Sequence, residues 1–254
     1  MPDNQSGASV SIQSVSYHHP GSGLILDNLS LEIRSGEFVS ILGPSGCGKS
    51  TLLRLLAALE QPTQGSIQFG PQKWVPIRGF VFQEPRLLPW RTVLENVKLP
   101  LELQGETTSE SHSRAIHSIE RVGLTDSMHQ FPSQLSGGMK MRVSVARALV
   151  FQPSLLLLDE PFSSLDESIR HSLQDDLRSL WQTLKMTIVF VTHSIAEAAY
   201  LSDRAIIFSK APVRIVSDQV IGLDRVRTSK VRHEKQFLDE VKKMSEFFLL
   251  KDKV

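Results

Sequence analysis

Gly43, Pro44, Ser45, Gly46, Cys47, Gly48, Lys49, Ser50 and Thr51 match the pattern G-x-x-x-x-G-K-[ST], a loop that cradles nucleotide phosphates. Gly43, Gly46 and Gly48 let the backbone turn tightly, so that successive N–H groups converge on one anion. Lys49 adds a full positive charge for the terminal phosphates, and the Ser50 hydroxyl can ligate Mg²⁺. A metal there needs a carboxylate, and Leu155-Leu156-Leu157-Leu158-Asp159-Glu160 supplies it. Asp159 would reach Mg²⁺ directly or through water. Glu160, one residue further, can act as general base on an attacking water. Gln134-Leu135-Ser136-Gly137-Gly138-Met139 precedes an expected helix, Lys140 to Val150, and forms a second anion site. One nucleotide does not need two such sites from one chain. Ser136, Gly137 and Gly138 are therefore expected to serve a partner's nucleotide, with a flexible Ser-Gly-Gly hinge as the alternative.

Such residues need rigid elements behind them. Phe38-Val39-Ser40-Ile41-Leu42 predicts a buried strand leading into the loop. Thr51 to Leu59, with Leu52, Leu53, Leu55 and Leu56, predicts a helix whose N-terminus faces the phosphates. Four leucines before Asp159 fit a strand buried on both faces of a parallel sheet, and open α/β sheets bind ligands where such strands end. Ile188-Val189-Phe190-Val191 delivers His193 to the same sheet edge. Ser9 to Tyr17, Leu29 to Ile33 and Ser66 to Phe69 alternate like strands and suggest a small β-layer flanking the nucleotide. Thr92 to Val150 is mainly helical in pattern, including Ser113 to Val122, and reads as an inserted arm carrying Ser136. Glu167 to Leu184 predicts a further helix. The expected fold class is α/β: a phosphate-loop ATPase core with a parallel sheet, a flanking antiparallel β subdomain and an inserted helical subdomain. Residues 1–254 read as a single domain, with the core and β subdomain at 9–91 and 151–217, the helical subdomain at 92–150 and a C-terminal helical tail at 218–254. In the tail, Phe237, Val241, Met244 and Phe248 are spaced for an amphipathic helix, packed on the core or used in a dimer or regulatory contact. Arg225, Arg227, Lys230 and Arg232 read as a solvated basic face, with contact to lipid headgroups as the alternative.

Phosphate loop, Leu-Ser-Gly-Gly and Leu-Leu-Leu-Leu-Asp-Glu, in that order and spacing, resemble the ATP-binding cassette (ABC) ATPases from about Val10 to Ser217. The resemblance implies further roles. Tyr17 is similar to the aromatic residue that stacks on adenine, with an ordinary strand aromatic as the alternative. Gln83, in Phe-Val-Phe-Gln-Glu-Pro, resembles the glutamine that touches metal and attacking water and begins the loop facing a membrane subunit. Ser163-Ser164-Leu165-Asp166 resembles the loop that crosses a dimer interface, which puts Asp166 among the nucleotide-binding positions. His193 resembles the switch histidine near the γ-phosphate. The implied enzyme is an ATPase using ATP and Mg²⁺, with Glu160, His193 and Gln83 catalytic and Ser50, Gln83 and Asp159 organising the metal. Met139 stands where the family often has glutamine, and Ser164 where alanine is common; neither change removes a needed donor. Met139 with the run Gln83 to Val93 narrows the resemblance to ATPase subunits of nitrate, sulfonate and taurine importers. The implied function is to energise import of a small anionic solute. The implied partners are a second copy of the chain, membrane-spanning permease subunits and, indirectly, a solute-binding protein. The implied location is the cytoplasmic face of the cell membrane.

Composition agrees with this reading. The chain has 254 residues, enough for one large core, and its net charge of +1 favours neither nucleic acid nor an acidic membrane. The one cysteine, Cys47, cannot form an internal disulfide and suits a reducing cytoplasm. No apolar run approaches the roughly 18 residues of a membrane span, and Met1 to Ser11 lacks a signal peptide's apolar core. One phosphate loop and no internal repeat give one cassette per chain. An exporter or lipid-transport complex would use the same chemistry and is the alternative. Soluble ABC proteins of DNA repair or translation usually carry two cassettes or a long coiled-coil insertion, and neither is present here. Glu160 and His193 disfavour a module that binds without hydrolysing. Glu84-Pro85-Arg86-Leu87-Leu88-Pro89-Trp90 suits neither a solvated loop nor a core helix. It predicts a rigid apolar knob offered to the membrane subunit, with Trp90 tucked into its own helical arm as the alternative.

Overall fold

The computed structural model describes residues 7–19, 21, 23–70, 75–106 and 109–249. Strands β1 (Val10–His19), β2 (Gly23–Ile33) and β4 (Gln64–Phe69) form an antiparallel sheet ordered β2-β1-β4. Strands β3 (Phe38–Leu42), β5 (Arg78–Val81), β6 (Leu155–Asp159), β7 (Thr187–Thr192), β8 (Arg204–Phe208) and β9 (Ile215–Val220) form the second sheet, ordered β5-β6-β7-β3-β8-β9. All of its pairings are parallel except β8 with β9. Helix α1 (Lys49–Leu56) follows β3, while α2 (Val93–Leu103), α3 (Ser109–Arg121) and α4 (Gly137–Leu149) lie between β5 and β6. Helices α5 (Glu167–Leu184), α6 (Ile195–Leu201) and α7 (Lys235–Leu249) complete the chain.

The continuous apolar runs are explained by burial on both faces. Leu155, Leu157, Val189, Val191, Val39 and Ile41 point into a core shared with α1 and the antiparallel sheet. Leu156, Leu158, Ile188, Phe190, Phe38 and Leu42 point into a second core shared with α2 to α7. The central strands thus divide two cores and carry their polar C-terminal residues to one edge.

Element boundaries differ from expectation in instructive ways. Helix α1 starts at Lys49, so Lys49 and Ser50 occupy its first turn; it ends at Leu56, before Ala58 adopts φ 57° and Leu59 turns out to solvent. Helix α4 starts at Gly137 because the Ser136 side chain accepts the Met139 N–H as its cap. The tail helix α7 packs on the core through Phe237 and Met244; the side chain of Phe248 lies outside the described residues. The basic stretch is not a uniform solvated or lipid-facing surface. Arg227 is buried and donates to the carbonyls of Ala199, Tyr200 and Ser202 at the end of α6. Burial pushes its pKa down to about 10. Arg232 pairs with Asp175 at 2.8 Å and lies 3.5 Å over the Tyr200 ring, while Arg225 and Lys230 remain exposed. Among the described residues, no helix is long and apolar enough to cross a membrane.

Candidate active site

Strands β3, β6 and β7 end side by side, and the loops that follow them assemble one bonded cluster. The phosphate loop leaves β3 and reaches α1 through Gly48 at φ 120°. A Cβ at Gly48 would meet Ile25 Cγ2 at 2.6 Å, so the loop's approach to β2 requires glycine. Lys49 is only 4% exposed. Its ammonium donates to the carbonyls of Gly43 and Pro44, both at 2.9 Å, and lies 3.7 Å from Glu160 Oε1. Ser50 Oγ donates to Asp159 Oδ1 at 2.9 Å. Burial raises the Asp159 pKa above the ordinary carboxylate value; the Ser50 hydrogen bond opposes the shift and the charge of Glu160 adds to it. A half-buried hydroxyl–carboxylate pair of this kind offers hard oxygen donors for a divalent cation. Among the described residues no group of three or more His, Cys, Asp or Glu side chains could hold a metal.

Glu160 sits at φ 45°, unusual for a residue with a side chain. Its N–H donates to Val191 O at 3.0 Å, and its carbonyl accepts from Ser163 Oγ at 3.0 Å. Those bonds turn the carboxylate between two loops: Oε2 lies 3.0 Å from His193 Nδ1 and Oε1 faces Lys49. An acid held between an imidazole and an ammonium can accept a proton from water. Gln83, two residues past β5, joins the cluster through Ser163, donating to its Oγ at 3.1 Å. Ser163 is thus a bridge between Gln83 and Glu160, a role the sequence did not give it; it entered there as the first residue of the stretch expected at a dimer interface.

The structure brings together Lys49, Ser50, Asp159, Glu160, His193 and, through Ser163, Gln83. Other expected residues lie apart from this cluster. Ser136 and Gly137 are exposed, and Gly138 packs where a Cβ would meet Ile169 Cγ2 at 2.6 Å. Asp166 is exposed at the start of α5 and caps no N–H with its side chain. Thr51 is half-buried in α1, Ser45 and Gly46 are exposed, and Cys47 is buried. Tyr17 lies in β1. It is 8% exposed within the core shared with Leu26 and Val15, and a hydrogen bond to Glu60 raises its pKa. The bulge around Ser14, at φ 48°, shifts the strand's alternation and turns Tyr17 inward. The exposed rings at that strand end are His18 and His19, which pair with Leu24 and Gly23 of β2. Trp90 is 70% exposed, so it is not tucked into its arm.

The chain is similar to known proteins in sequence and fold. The family model described as ABC transporter matches residues 26–163. The bicarbonate transport ATP-binding protein CmpD of Synechocystis sp. is 42% identical over 83% of this chain and 77% of its own length. The aliphatic sulfonates import ATP-binding protein SsuB 1 of Mesorhizobium japonicum is 44% identical over 82% and 77%, and the nitrate import ATP-binding protein NrtD of Synechococcus elongatus is 39% identical over 82% and 78%. A dimeric ATP-binding cassette solved in a post-hydrolysis state with ADP and Pi superposes with a TM-score of 0.69 at 32% identity, over 85% of this chain and all of its own. With the phosphate loop, the Ser50–Asp159 pair and the Glu160–His193 contact converging at one sheet edge, the chain belongs to the ABC transporter family as an ATP-binding and ATP-hydrolysing subunit.

Proposed function

We propose that this ATPase energises import of a small anionic solute, of the nitrate, sulfonate or taurine kind, through membrane-spanning permease subunits. The relatives named for bicarbonate, sulfonate and nitrate support the class, since all three are compact anions. The carrying observation for the chemistry is the Glu160 carboxylate, held 3.0 Å from His193 and 3.7 Å from Lys49 beside the Ser50–Asp159 pair. In this reading the loop N–H groups and Lys49 hold the β- and γ-phosphates of ATP. Ser50, Asp159 and Gln83 organise Mg²⁺, which when bound neutralises charge developing on the phosphates. Glu160 takes the proton of the attacking water, and His193 stabilises the γ-phosphate side. Two copies sandwich two nucleotides, and Ser136, Gly137, Gly138 and Asp166 of each complete the site of the other.

The single cassette divides in this reading into the core with β subdomain (9–91 and 151–217), the helical subdomain (92–150) and the tail (218–254). The permease contact lies at the Pro89–Trp90 knob and holds the chain at the cytoplasmic face of the membrane; a solute-binding protein acts indirectly, through the permease. Uptake of labelled nitrate, bicarbonate, taurine and an alkanesulfonate in cells with and without the chain tests the solute class. Loss of uptake of one of these anions, with Mg²⁺-dependent ATP turnover by the purified chain, is expected. Undiminished uptake of all four would refute the class, and absence of turnover would refute the chemistry.

A further inference from the structure

Arg147 occupies the last turn of α4, the helix that Ser136 caps at its other end. Thirteen residues make that helix about 20 Å long. Rather than lying along its own helix, the Arg147 guanidinium reaches across to the segment after Gln83. It donates through Nη2 to Pro85 O at 2.7 Å and through Nη1 to Arg86 O at 3.0 Å. Two adjacent carbonyls taken by one planar fork fix direction as well as distance. Arg86 adopts φ 46° between them, stacking its own guanidinium 4.8 Å over Phe82. The rest of the segment is braced from α2. Buried Asn96 accepts the Leu88 N–H at 2.8 Å and donates to the carbonyls of Leu88, Arg91 and Thr92. Beyond these anchors Pro89 and Trp90 are exposed, as is Glu84 nearer Gln83.

We propose that Arg147 is a positioning residue that locks the exposed knob to the signature helix, so that the Ser136 turn and Trp90 move as one body. A displacement at Ser136, where a partner's nucleotide would close the site, is then delivered to the knob through the helix and this fork. The Nη2 bond to Pro85 O is half-buried and the Nη1 bond to Arg86 O is exposed, so the first is the better shielded from water. The proposal rests on the reading of Ser136 and of the knob given above.

Hydrogen exchange in the full chain tests it, with the N–H groups of Leu88 and Arg91 as reporters because both are hydrogen-bonded. The Glu160→Gln background with ATP and Mg²⁺ supplies the closed state. Without nucleotide, Arg147→Gln is expected to raise exchange at 84–91 by about tenfold, the loss of a charge-assisted hydrogen bond. With ATP, 136–139 should still respond while the response at 84–91 disappears. Arg147→Lys keeps the charge but not the fork and should give an intermediate effect; it also serves if the glutamine variant folds poorly. ATP affinity should stay within about twofold of the unsubstituted chain, since Arg147 touches no phosphate-loop residue. Exchange at 84–91 that responds to ATP as before would overturn the clamp. So would a rise spread evenly along 137–149, which would mark Arg147 as a helix stabiliser only. No ATP response at 136–139 in the chain with Arg147 intact would refute the underlying reading of Ser136, and the coupling with it.

Discussion

Two adjacent acids do opposite work in the site, and their surroundings explain the division. Glu160 is held by His193 and Lys49, which places its carboxylate to act as a base. Replacing it with glutamine keeps shape and hydrogen bonding but removes proton acceptance. Turnover should fall by about 10²–10⁴-fold while ATP binding persists, and the ATP-bound dimer should accumulate in sedimentation with ATP and Mg²⁺. Near-normal turnover would exclude Glu160 as the base. Asp159 is instead penalised by burial, which raises its pKa in the folded state. The sign follows directly: its contribution to stability is fully present below the unfolded pKa and is lost as pH rises through the raised folded value. Above that folded value the ionised carboxylate therefore costs the nucleotide-free protein stability. Asp159→Asn should raise the melting temperature by about 2 °C or more while Mg²⁺-dependent turnover collapses. A lowered melting temperature would show that the Ser50–Asp159 bond outweighs desolvation.

At the scale of elements, the signature turn makes the sharpest test. Ser136 caps α4 and is exposed, apart from its own chain's phosphate loop. Ser136→Arg should block closure without disturbing Lys49. Mixing it with Lys49→Ala chains leaves one complete site per mixed dimer, so partial ATP turnover should return. If mixed dimers form and none returns, either the shared site is wrong or both sites must work together. Much of this layout was legible in the sequence because local signals agreed with the fold. The limits of α5 match its pattern from Glu167 to Leu184, and β3 coincides with Phe38 to Leu42. Lys49, Ser50, Asp159, Glu160 and His193 were legible as a group because each lies within two residues of a strand or helix end. What stayed hidden depended on tertiary phase. A bulge near Ser14 cannot be seen in an alternating pattern, yet it decides where Tyr17 points. Arg227 and Arg147 look like solvated cations in a sequence; only the folded chain brings carbonyl oxygens from distant elements to them.

For the whole molecule, hydrolysis must be felt at a surface, and Trp90 is the exposed aromatic of the segment that begins at Gln83. An exposed tryptophan on a braced loop suits a binding hot spot. Trp90→Ala should cost about 2 kcal/mol or more of permease binding, with transport falling further than basal ATP turnover and ATP affinity unchanged. A lowered melting temperature with assembly intact would assign the ring a structural role instead. A different consequence follows from β6 as the wall between two cores. Leu155 and Leu157 serve one core, Leu156 and Leu158 the other, so both sides accept any apolar residue of similar volume. Neither side can accept a change in count, because removing one residue exchanges the faces of every residue after the gap, Asp159 included. This stretch should therefore be generous toward misspelling and intolerant of omission. In a library covering 155–158, conservative apolar replacements should retain ATP turnover, while every single-residue deletion should yield no folded protein.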